Sequence, residues 1–564
     1  MTSMKTRLWD ALVWVLVIFP LVTGGIWLHR SGLKLELAEL AIPVLLVSVL
    51  GLHLGRSGLS SASSVRLAER TWDFWKTVLK NRTCLTLSFS FFLVALLLGL
   101  SSIRRHWAFG SGAYDLGIFT NGLWNLSHGN GYFSSVRGGI NLLTDHQSFI
   151  VWLIAPIFRV FPYEETLLIA QAVTLATGGV AAYFLARQYL GAKHWGTAAM
   201  PLLYWAYSPV RNANAFDYHP ETMMLPLLLF AIVGIQSSKL SARLWGVLAL
   251  ILGLATKETA PALVSAVSLG WALGAGPENT RRFTKKFGIF LIPFSIALFA
   301  FELKWVPRLV GGEHFHLHEH LMQYGGTFWD LALAPFVRPS VFWGNLFGTS
   351  RLKFLFYTLA PLSFLPIFAW RNCLGSLPGY LLLFLTSGDH KVSIQYHYAI
   401  EPAVGLFWAM PSAILLAKNT RWEKLAQPGV VLFFALAFFG KSELYRIRRS
   451  APDEHQVWLR QQFIPCLSQS SIAASSGFIP HVSARDWASE IGNILQTDGR
   501  PVSCVVIDYD LNNWSMAGAP WNGFLNRLAE QKYTSVYNCG STTLYEHFQA
   551  LGECMKCRPN CSGG

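Results

Sequence analysis

Charged side chains are scarce in this chain: Asp, Glu, Lys and Arg make up 13% of its 564 residues. Soluble domains usually carry about 25% charged residues. Hydrophobic residues account for 52% of the chain, with 22 Trp and 39 Phe among them, and aromatic rings gather at the headgroup level of membranes. The deficit of charge therefore argues against an ordinary soluble protein and indicates an integral membrane protein.

Nucleotide-binding and hydrolase motifs are also absent. The chain contains no Walker-type glycine loop, no GxSxG and no HExxH, so ATP-driven transport by this chain alone is unsupported. The net charge of +14 is not gathered in one patch, because basic residues recur in short clusters between apolar runs. Such clusters are typical of cytoplasmic loops under the positive-inside rule. We therefore expect no nucleic-acid partner.

Long apolar runs are the dominant feature that is present. A membrane-spanning helix needs roughly 20 mostly apolar residues, and this criterion predicts about thirteen spans. They lie at residues 9–28, 38–55, 84–103, 166–187, 195–209, 222–236, 244–256, 259–275, 287–306, 350–370, 374–387, 397–417 and 427–440. The basic loops 56–83, 276–286 and 418–426 are predicted to be cytoplasmic, which places the opposite loops and the C-terminal segment outside.

Composition divides the chain into three predicted parts. Residues 1–83 hold two spans and a basic loop, and residues 84–440 form a transmembrane core with large extracytoplasmic loops. Residues 441–564 regain polar side chains, with short buried strands at 471–474 and 504–508 and a helix at 521–532. The predicted fold is a polytopic all-α membrane protein with a small extracytoplasmic α/β domain. Six of the eight Cys follow position 460; disulfides are favoured there, with a zinc knuckle as the alternative.

Asp115 is the first of four groups that this topology brings to the outer face, where ionisable residues are functional candidates. It is a lone carboxylate among apolar and aromatic residues. Burial raises the pKa of a carboxylate unless a cation or metal compensates, which suits a general base. The alternative is an Asp that caps a helix beginning at Leu116.

The second group is the adjacent pair Asp145 and His146, which can bind a metal ion or orient a substrate hydroxyl. These two residues can equally cap a helix and pair with Arg104 or Arg105.

The third group is Asp217, His219 and Glu221, which fall within five positions of one another. A first helical turn would explain Pro220 and Glu221, since both residue types favour helix N-termini. It would not explain Asp217 or His219, so we predict that this segment binds substrate.

The fourth group is Lys257 and Glu258, at a predicted outer tip between two spans. Lys257 could meet a phosphate as a point charge, and a plain ion pair is the alternative. His397, where a span begins, is a further candidate, because an aromatic belt explains its Tyr neighbours but not the imidazole. Four alternating His within 314–320 would share one face of a strand, as a metal site needs; an exposed loop is the alternative.

These motifs, in this order, resemble those of the predicted membrane proteins of the domain of unknown function 2079 family. The resemblance covers roughly residues 85–500 and rests on the stretches 114–119, 145–146, 216–220, 257–258 and 395–398. One departure is Thr259, where an acid is expected after Lys-Glu. The family is grouped with the GT-C membrane glycosyltransferases. The resemblance therefore implies a GT-C-like fold, a polyprenyl-phosphate-linked sugar donor and a catalytic carboxylate in the place that Asp115 occupies.

The leading hypothesis is a glycosyltransferase on the outer face of the cytoplasmic (inner) membrane. Asp115 would be the general base, Lys257 would bind the donor phosphate and His397 would line the cleft. Substrate or a divalent metal ion would be held by a further set of side chains: Asp145, His146, Asp217, His219, Glu221 and Glu258. The acceptor, a glycan or a protein, stays open. The alternative is a non-enzymatic transporter of lipid-linked sugars or an envelope-assembly scaffold, which predicts charges spread along a path through the bilayer.

Overall fold

The computed structural model describes residues 82–312, 322–386, 388–418, 420, 423–511 and 521–561. The predicted spans 9–28 and 38–55, most of the loop 56–83 and the His-rich segment 313–320 lie outside the described residues. Residues 82–93 belong to a first structural unit, of which they are the described part, and residues from Val94 onwards form a second unit.

Helices dominate the described chain up to residue 449. The helices before the gap at 313–321 are α1 (Arg82–Trp107), α2 (Ile118–Ser127), α3 (Val151–Val160), α4 (Glu164–Leu190), α5 (Trp195–Ala206), α6 (Ser208–Phe216), α7 (Met224–Ile235), α8 (Leu240–Leu254), α9 (Ala260–Ala272), α10 (Arg281–Lys304) and α11 (Val306–Leu309). Those after it are α12 (Phe328–Val337), α13 (Pro339–Leu346), α14 (Thr349–Leu359), α15 (Trp370–Cys373), α16 (Leu377–Leu385), α17 (Ile400–Ala417), α18 (Pro428–Ala437) and α19 (Glu443–Arg449). The short strands β1 (Phe133–Ser134) and β2 (Ile140–Asn141) pair antiparallel in the loop after α2.

Four helical segments of the described chain are long and apolar enough to cross a membrane: Thr83–Trp107, Glu164–Leu190, Glu278–Lys304 and His397–Ala417. A fifth is obtained if the bent pair Pro339–Leu362 and Leu365–Leu385 is one span. The predicted spans 84–103, 166–187, 287–306 and 397–417 agree with these helices. Most of the other predicted spans coincide with shorter apolar helices, so the count of thirteen stays a prediction.

The bent pair corrects two predicted spans. The sequence predicts spans at 350–370 and 374–387, but the chain turns by 93° at a break after Leu362. Ser363 and Phe364 both have positive φ, 55° and 57°, a left-handed conformation that non-glycine residues rarely adopt and that ends a helix. Hydropathy alone does not register such a break, because the apolar run continues through it.

Close helix contacts in the core depend on small residues of α4. A Cβ at Gly178 would lie 2.1 Å from the Tyr204 hydroxyl oxygen, and a Cβ at Gly179 would lie 2.2 Å from the indole of Trp205. Small residues allow helices inside membranes to approach closely and pack by van der Waals contact. The two glycines therefore seat α5 directly against α4.

The C-terminal region is a small α/β fold, as predicted. After α20 (Glu454–Trp458) and α21 (Ile464–Cys466) come β3 (Ile472–Ala474), β4 (Ala488–Glu490), β5 (Cys504–Asp508), α22 (Trp521–Glu530), β6 (Tyr533–Cys539) and β7 (Thr542–His547). The strand order is β4-β3-β5-β7-β6. Strands β3, β4 and β5 run parallel, whereas β7 pairs antiparallel with both β5 and β6. Apolar side chains of the sheet and α22, including Val505, Ile507 and Phe524, form its core.

Three disulfides tie the C-terminal tail to this domain: Cys466–Cys557, Cys504–Cys554 and Cys539–Cys561. The expectation of disulfides is confirmed, and the pairing removes the thiolates that a zinc knuckle would need. The boundaries predicted at 83 and 440 stay predictions.

Removing one disulfide is expected to destabilise the C-terminal domain. The Cys504–Cys554 bridge closes a separation of 50 residues, and loss of such a crosslink typically costs about 2–4 kcal/mol because the unfolded chain gains freedom. A Cys504→Ala, Cys554→Ala variant should therefore melt at a lower temperature when followed by tryptophan fluorescence. The control is Cys84→Ser, since Cys84 is an exposed cysteine that takes no part in these three disulfides. Equal melting temperatures for the double variant and the wild type would contradict the account.

Candidate active site

Asp115 and His219, about one hundred positions apart in the sequence, face each other in the structure. Asp115 lies on a single π-helical turn, Ala113–Gly117, a local geometry that often marks functional sites. Its Oδ1 is 3.4 Å from Nε2 of His219. The Asp115 side chain is 28% exposed, whereas the imidazole is 7% exposed. No side chain caps α2, whose N-cap is Gly117, so the capping alternative for Asp115 is wrong.

Both ring nitrogens of His219 face oxygen atoms. Nε2 faces the Asp115 carboxylate, and Nδ1 lies 3.4 Å from the Asp217 carbonyl oxygen. Burial disfavours the charged form of both side chains, but their mutual hydrogen bond and attraction lower the pKa of Asp115 and raise the pKa of His219. A ring with acceptors at both nitrogens carries two protons. Both shifts in pKa therefore favour the state in which Asp115 is a carboxylate and His219 is an imidazolium.

Asp217 belongs to a neighbouring ion pair with Arg105. Its Oδ1 is 2.6 Å from Arg105 Nη1, and its Oδ2 accepts the Gly112 N–H at 3.0 Å. The same guanidinium donates to the Phe216 carbonyl oxygen. These bonds fasten the end of α6 to the end of α1 and to the turn that carries Asp115.

His219 is stacked on His397, the candidate at the start of the last long span. The ring centroids are 3.8 Å apart and the planes are inclined by 21°. His397 Nε2 in turn lies 3.1 Å from Glu221 Oε1. Two imidazolium rings at this separation would repel each other strongly, so a protonated His219 requires a neutral His397 that donates its Nε2 proton to Glu221.

Lys257 completes the chain of contacts. Its Nζ is 3.2 Å from Glu221 Oε1 and 3.2 Å from Glu401 Oε1. The Thr259 hydroxyl donates to the same Glu401 oxygen at 2.9 Å. All four side chains are buried. The acid that the family resemblance leads us to expect at position 259 has a counterpart here in Glu401, which reaches the same tip from α17.

A second branch starts at Glu258. This carboxylate lies 3.4 Å from His146 Nδ1 and accepts the Gln147 N–H at 3.1 Å. Although burial opposes an imidazolium, the attraction and hydrogen bond of Glu258 raise the pKa of His146 to about 9. Asp145 pairs instead with Arg137, 3.2 Å away. The alternative prediction that Asp145 and His146 pair with Arg104 or Arg105 is therefore wrong.

The predicted site residues thus form a connected cluster with two branches. One branch links Asp115 through the stacked imidazoles to Lys257, and the other leads from the adjacent Glu258 to His146. Asp217 lies beside the first branch because it is two positions before His219 in the chain. Asp145 lies beside the second branch because it directly precedes His146. Their catalytic and binding roles remain predictions.

Two contributors were missed in the sequence. Glu401, four positions after His397, was not predicted as a site residue. Gln171 on α4 donates from Nε2 to the Asp217 carbonyl at 2.8 Å, and its Oε1 accepts the His219 N–H at 2.8 Å and the Thr222 hydroxyl at 3.0 Å. A lone Gln inside an apolar span was the available signal, because polar side chains at membrane depth are costly unless they are bonded.

A divalent metal ion at the candidate site stays a prediction. Within the part of the chain that the structure describes, the one group of three His, Cys, Asp or Glu side chains close enough to share an ion is His455, Asp508 and Asp510. That group lies in the C-terminal domain. Asp145 and His146 are each engaged by a counter-charge, as described above.

Comparison with known proteins gives one family. The family model described as predicted membrane protein (DUF2079) matches residues 105–538, which confirms the resemblance seen in the sequence. No curated protein matches the chain.

Several solved structures are similar at low identity. ArnT from Cupriavidus metallidurans bound to undecaprenyl phosphate is 12% identical with a TM-score of 0.46, over 81% of this chain and 97% of that one. The Archaeoglobus fulgidus oligosaccharyltransferase in complex with zinc and sulfate is 12% identical with a TM-score of 0.38, over 81% and 73%. AglB from Archaeoglobus fulgidus, in complex with an inhibitory peptide and a dolichol-phosphate, is 12% identical with a TM-score of 0.33, over 82% and 74%.

The His146–Glu258 pair predicts a pH dependence of stability. A His side chain in the unfolded chain has a pKa of about 6.5. Because the pKa of His146 in the folded protein is about 9, the His146–Glu258 pair contributes its full stabilisation at pH values below the unfolded pKa. That stabilisation is lost as the pH rises through about 9, because protons then leave the folded state. The melting temperature of the wild type should fall over this alkaline range more steeply than that of His146→Gln. His128→Gln, which changes an exposed His, is the matched control, and equal slopes for wild type and His146→Gln would refute the assignment.

Proposed function

Because the chain belongs to the DUF2079 family of predicted membrane proteins, we propose that it is a GT-C-like membrane glycosyltransferase. It transfers a sugar from a polyprenyl-phosphate-linked donor to an acceptor hydroxyl outside the cytoplasm. The reaction takes place on the outer face of the cytoplasmic membrane, and the C-terminal domain lies on that side. An isoprenoid donor explains why the site must lie at a membrane surface.

One observation carries the proposal: the Asp115 carboxylate is partly exposed, and its Oδ1 lies 3.4 Å from Nε2 of the buried His219 imidazole. The other side chains of its branch, His219, His397, Glu221, Lys257 and Glu401, are buried, so Asp115 is the member of that branch best placed to meet a substrate. Ionisable groups with shifted pKa values gather at functional sites more often than elsewhere. The π turn that carries Asp115 supports the same role.

The proposed step uses Asp115 as general base. The carboxylate accepts the proton of the acceptor hydroxyl while that oxygen bonds to the anomeric carbon of the donor sugar. The bond from the anomeric carbon to the phosphate oxygen breaks, and both of its electrons leave with the polyprenyl phosphate. His219 keeps the carboxylate ionised and oriented before the transfer. The positive charge of His219 also makes the Asp115 carboxylate a weaker base. The acceptor proton therefore moves late in the step, when the anomeric carbon of the donor sugar is already electrophilic.

The donor phosphate fits Arg105 better than Lys257. The Lys257 ammonium already lies between two carboxylates, so a phosphate approaching it would be repelled. Arg105 is partly exposed. Its guanidinium has five N–H donors, and its hydrogen bonds to Asp217 and to the Phe216 carbonyl oxygen both come from Nη1. We therefore assign Arg105 to the phosphate and Lys257 to charge balance inside the cluster.

The alternative of a transporter or scaffold predicts ionisable groups spread along a path through the bilayer. The ionisable side chains of the candidate site instead gather in one connected cluster. That arrangement supports chemistry at a fixed place rather than passage of a charged headgroup across the membrane.

Replacing Asp115 by Asn keeps the shape of the side chain and removes the base. Transfer of label from radiolabelled polyprenyl-phosphate-linked glucose, mannose or galactose, tested one at a time, is measured in native-host membranes lacking the chromosomal gene and carrying the variant. We expect a fall of about 10²- to 10⁴-fold, the usual contribution of general base catalysis. The control is Asp498→Asn, because Asp498 is exposed and pairs with Arg500 alone among the recorded ion pairs.

Wild-type transfer by Asp115→Asn would remove Asp115 from its role. Movement of the intact lipid-linked sugar across vesicles that hold the purified protein, with no glycosylated product, would favour the transporter instead.

A further inference from the structure

The helical segment that carries Asp115 lies between the candidate site and the C-terminal domain. The π turn Ala113–Gly117 continues directly into α2. Along such a segment, positions four apart share a face, whereas positions two apart point away from each other. Asp115 and Phe119 form one such stripe, and Gly117 and Asn121 form another. The two stripes therefore contact different parts of the molecule.

The first stripe faces the segment that carries His219. Asp115 Oδ1 is 3.4 Å from His219 Nε2. The buried Phe119 ring packs edge-on against the rings of Tyr218 and His219, with centroids 5.5 and 5.7 Å apart. A shift of α2 would therefore change the distance between the Asp115 carboxylate and the His219 imidazole.

The second stripe faces the C-terminal domain, at the segment between β3 and β4. The Asn121 Nδ2 donates to the carbonyl oxygens of Ser483 and Arg485, at 3.1 and 2.7 Å. The Asn121 Oδ1 accepts the Ser135 N–H at 2.7 Å. Asn121 is completely buried, so the loss of its amide donor would leave two carbonyl oxygens unpaired, which is costly away from water. Asn121 thus joins α2 to the domain.

Gly117 lies against the same segment of the domain. A Cβ at Gly117 would be 3.0 Å from Cγ2 of Ile479. The backbone of Gly117 has φ −61° and ψ −44°, right-handed helical values that are open to other residues. Glycine here therefore serves close approach rather than backbone freedom. The Arg485 guanidinium donates to the carbonyl oxygens of Ser468 and Ser470, which holds the segment on its domain.

We propose that the C-terminal domain is a positioning element of the proposed active site, and that Asn121 is the positioning residue on α2. The domain holds α2 from one side, so that the opposite stripe presents Asp115 to His219 and to the acceptor hydroxyl. Asn121 touches no substrate and acts through Asp115. Catalytic groups must be held within about 0.5 Å of their productive geometry, and contacts on both sides of α2 provide that precision. This inference rests on the proposed glycosyltransferase function.

Asn121→Asp tests the bonds to the domain. The substitution keeps the size of the side chain but replaces the amide donor by an acceptor oxygen, so both bonds to the domain are lost. In the membrane assay used for Asp115→Asn, the apparent kcat should fall about 10- to 100-fold, the effect of a displacement on the order of 1 Å. The KM for the donor lipid should change little. Asn130→Asp makes the same change on an exposed side chain of the loop after α2 and is the matched control.

The pH profile separates positioning from a purely structural role. Burial raises the pKa of Asp115, but the hydrogen bond and charge of His219 outweigh that effect, and the pKa is lowered. A turn displaced from His219 loses this contribution. Because a general base acts only when it is deprotonated, the acid limb of kcat should move to higher pH in Asn121→Asp and stay in place in Asn130→Asp. A mere loss of folded protein would lower the rate and leave the profile unchanged.

A second set of variants tests the Gly117 contact without removing a buried hydrogen bond. Gly117→Ala places a Cβ against Ile479 that must be relieved by a shift of a few tenths of an ångström, so the apparent kcat should fall about three- to tenfold. Ile479→Leu keeps the volume of the side chain without the Cγ2 branch. The combined variant Gly117→Ala, Ile479→Leu should therefore return to within about twofold of Ile479→Leu alone.

The outcomes distinguish the positioning role from the proposed function. Wild-type transfer and an unchanged pH profile in Asn121→Asp, with Asp115→Asn inactive, overturn the positioning role and leave the enzyme assignment intact. Normal transfer by Asp115→Asn overturns the function itself. A loss in Asn121→Asp that disappears when rates are normalised to monodisperse, detergent-extracted protein would show that the domain only supports the fold. If Asn121→Asp does not accumulate as folded protein, the Gly117 variants decide, and failure of Ile479→Leu to restore transfer contradicts the positioning role.

Discussion

The buried ammonium of Lys257, shared by Glu221 and Glu401, is the interaction on which the site depends. It joins three segments that are far apart in the chain: the turn before α7, the tip before α9 and the first turn of α17. A charge removed from water is tolerated only when it is paired and hydrogen-bonded, and breaking such a pair typically costs about 3–5 kcal/mol. These three segments therefore cannot separate without exposing a charge to the apolar interior, and the imidazoles that lie on two of them are brought face to face.

The same constraint determines the state of Asp115. Glu221 accepts a hydrogen bond from Nε2 of His397, and the close stacking of His397 on His219 disfavours a second positive charge. The positive charge of the two rings is therefore carried by His219, beside Asp115. That charge keeps the Asp115 carboxylate ionised although the carboxylate is largely buried. The buried charges of this branch thus act on Asp115, the one member of the branch that is partly exposed. The Gln171 side chain bonds to the backbone of Asp217 and His219 and so fixes the segment that carries the His219 imidazole.

Sequence reasoning identified the ionisable members of the cluster better than their pairing. Lone ionisable residues in apolar surroundings stand out by composition, which is why Asp115, His219, Lys257 and His397 could be named in advance. Their partners depend on how helices meet in three dimensions, and a linear pattern does not encode that. The sequence therefore suggested a phosphate-binding role for Lys257, because it does not show that Glu221 and Glu401 both contact the ammonium group.

The fold shows the same division between local and long-range information. Long apolar spans, the disulfide-rich tail and strands such as 504–508 follow from local composition and were predicted correctly. The bend after Leu362 follows from two residues with left-handed backbone conformation, which a hydropathy profile does not detect. The docking of the C-terminal domain depends on Asn121 and Ser135, polar residues whose roles appear only when their distant partners are known.

The most direct test of this account is a double-mutant cycle on sugar transfer with Asp115→Asn, His219→Gln and the combined variant. If His219 acts through the carboxylate, the effects are strongly non-additive, and the double variant should be no more than about threefold slower than Asp115→Asn alone. Fold losses that simply multiply would show that the two side chains act independently, which would contradict the cluster as the origin of activity.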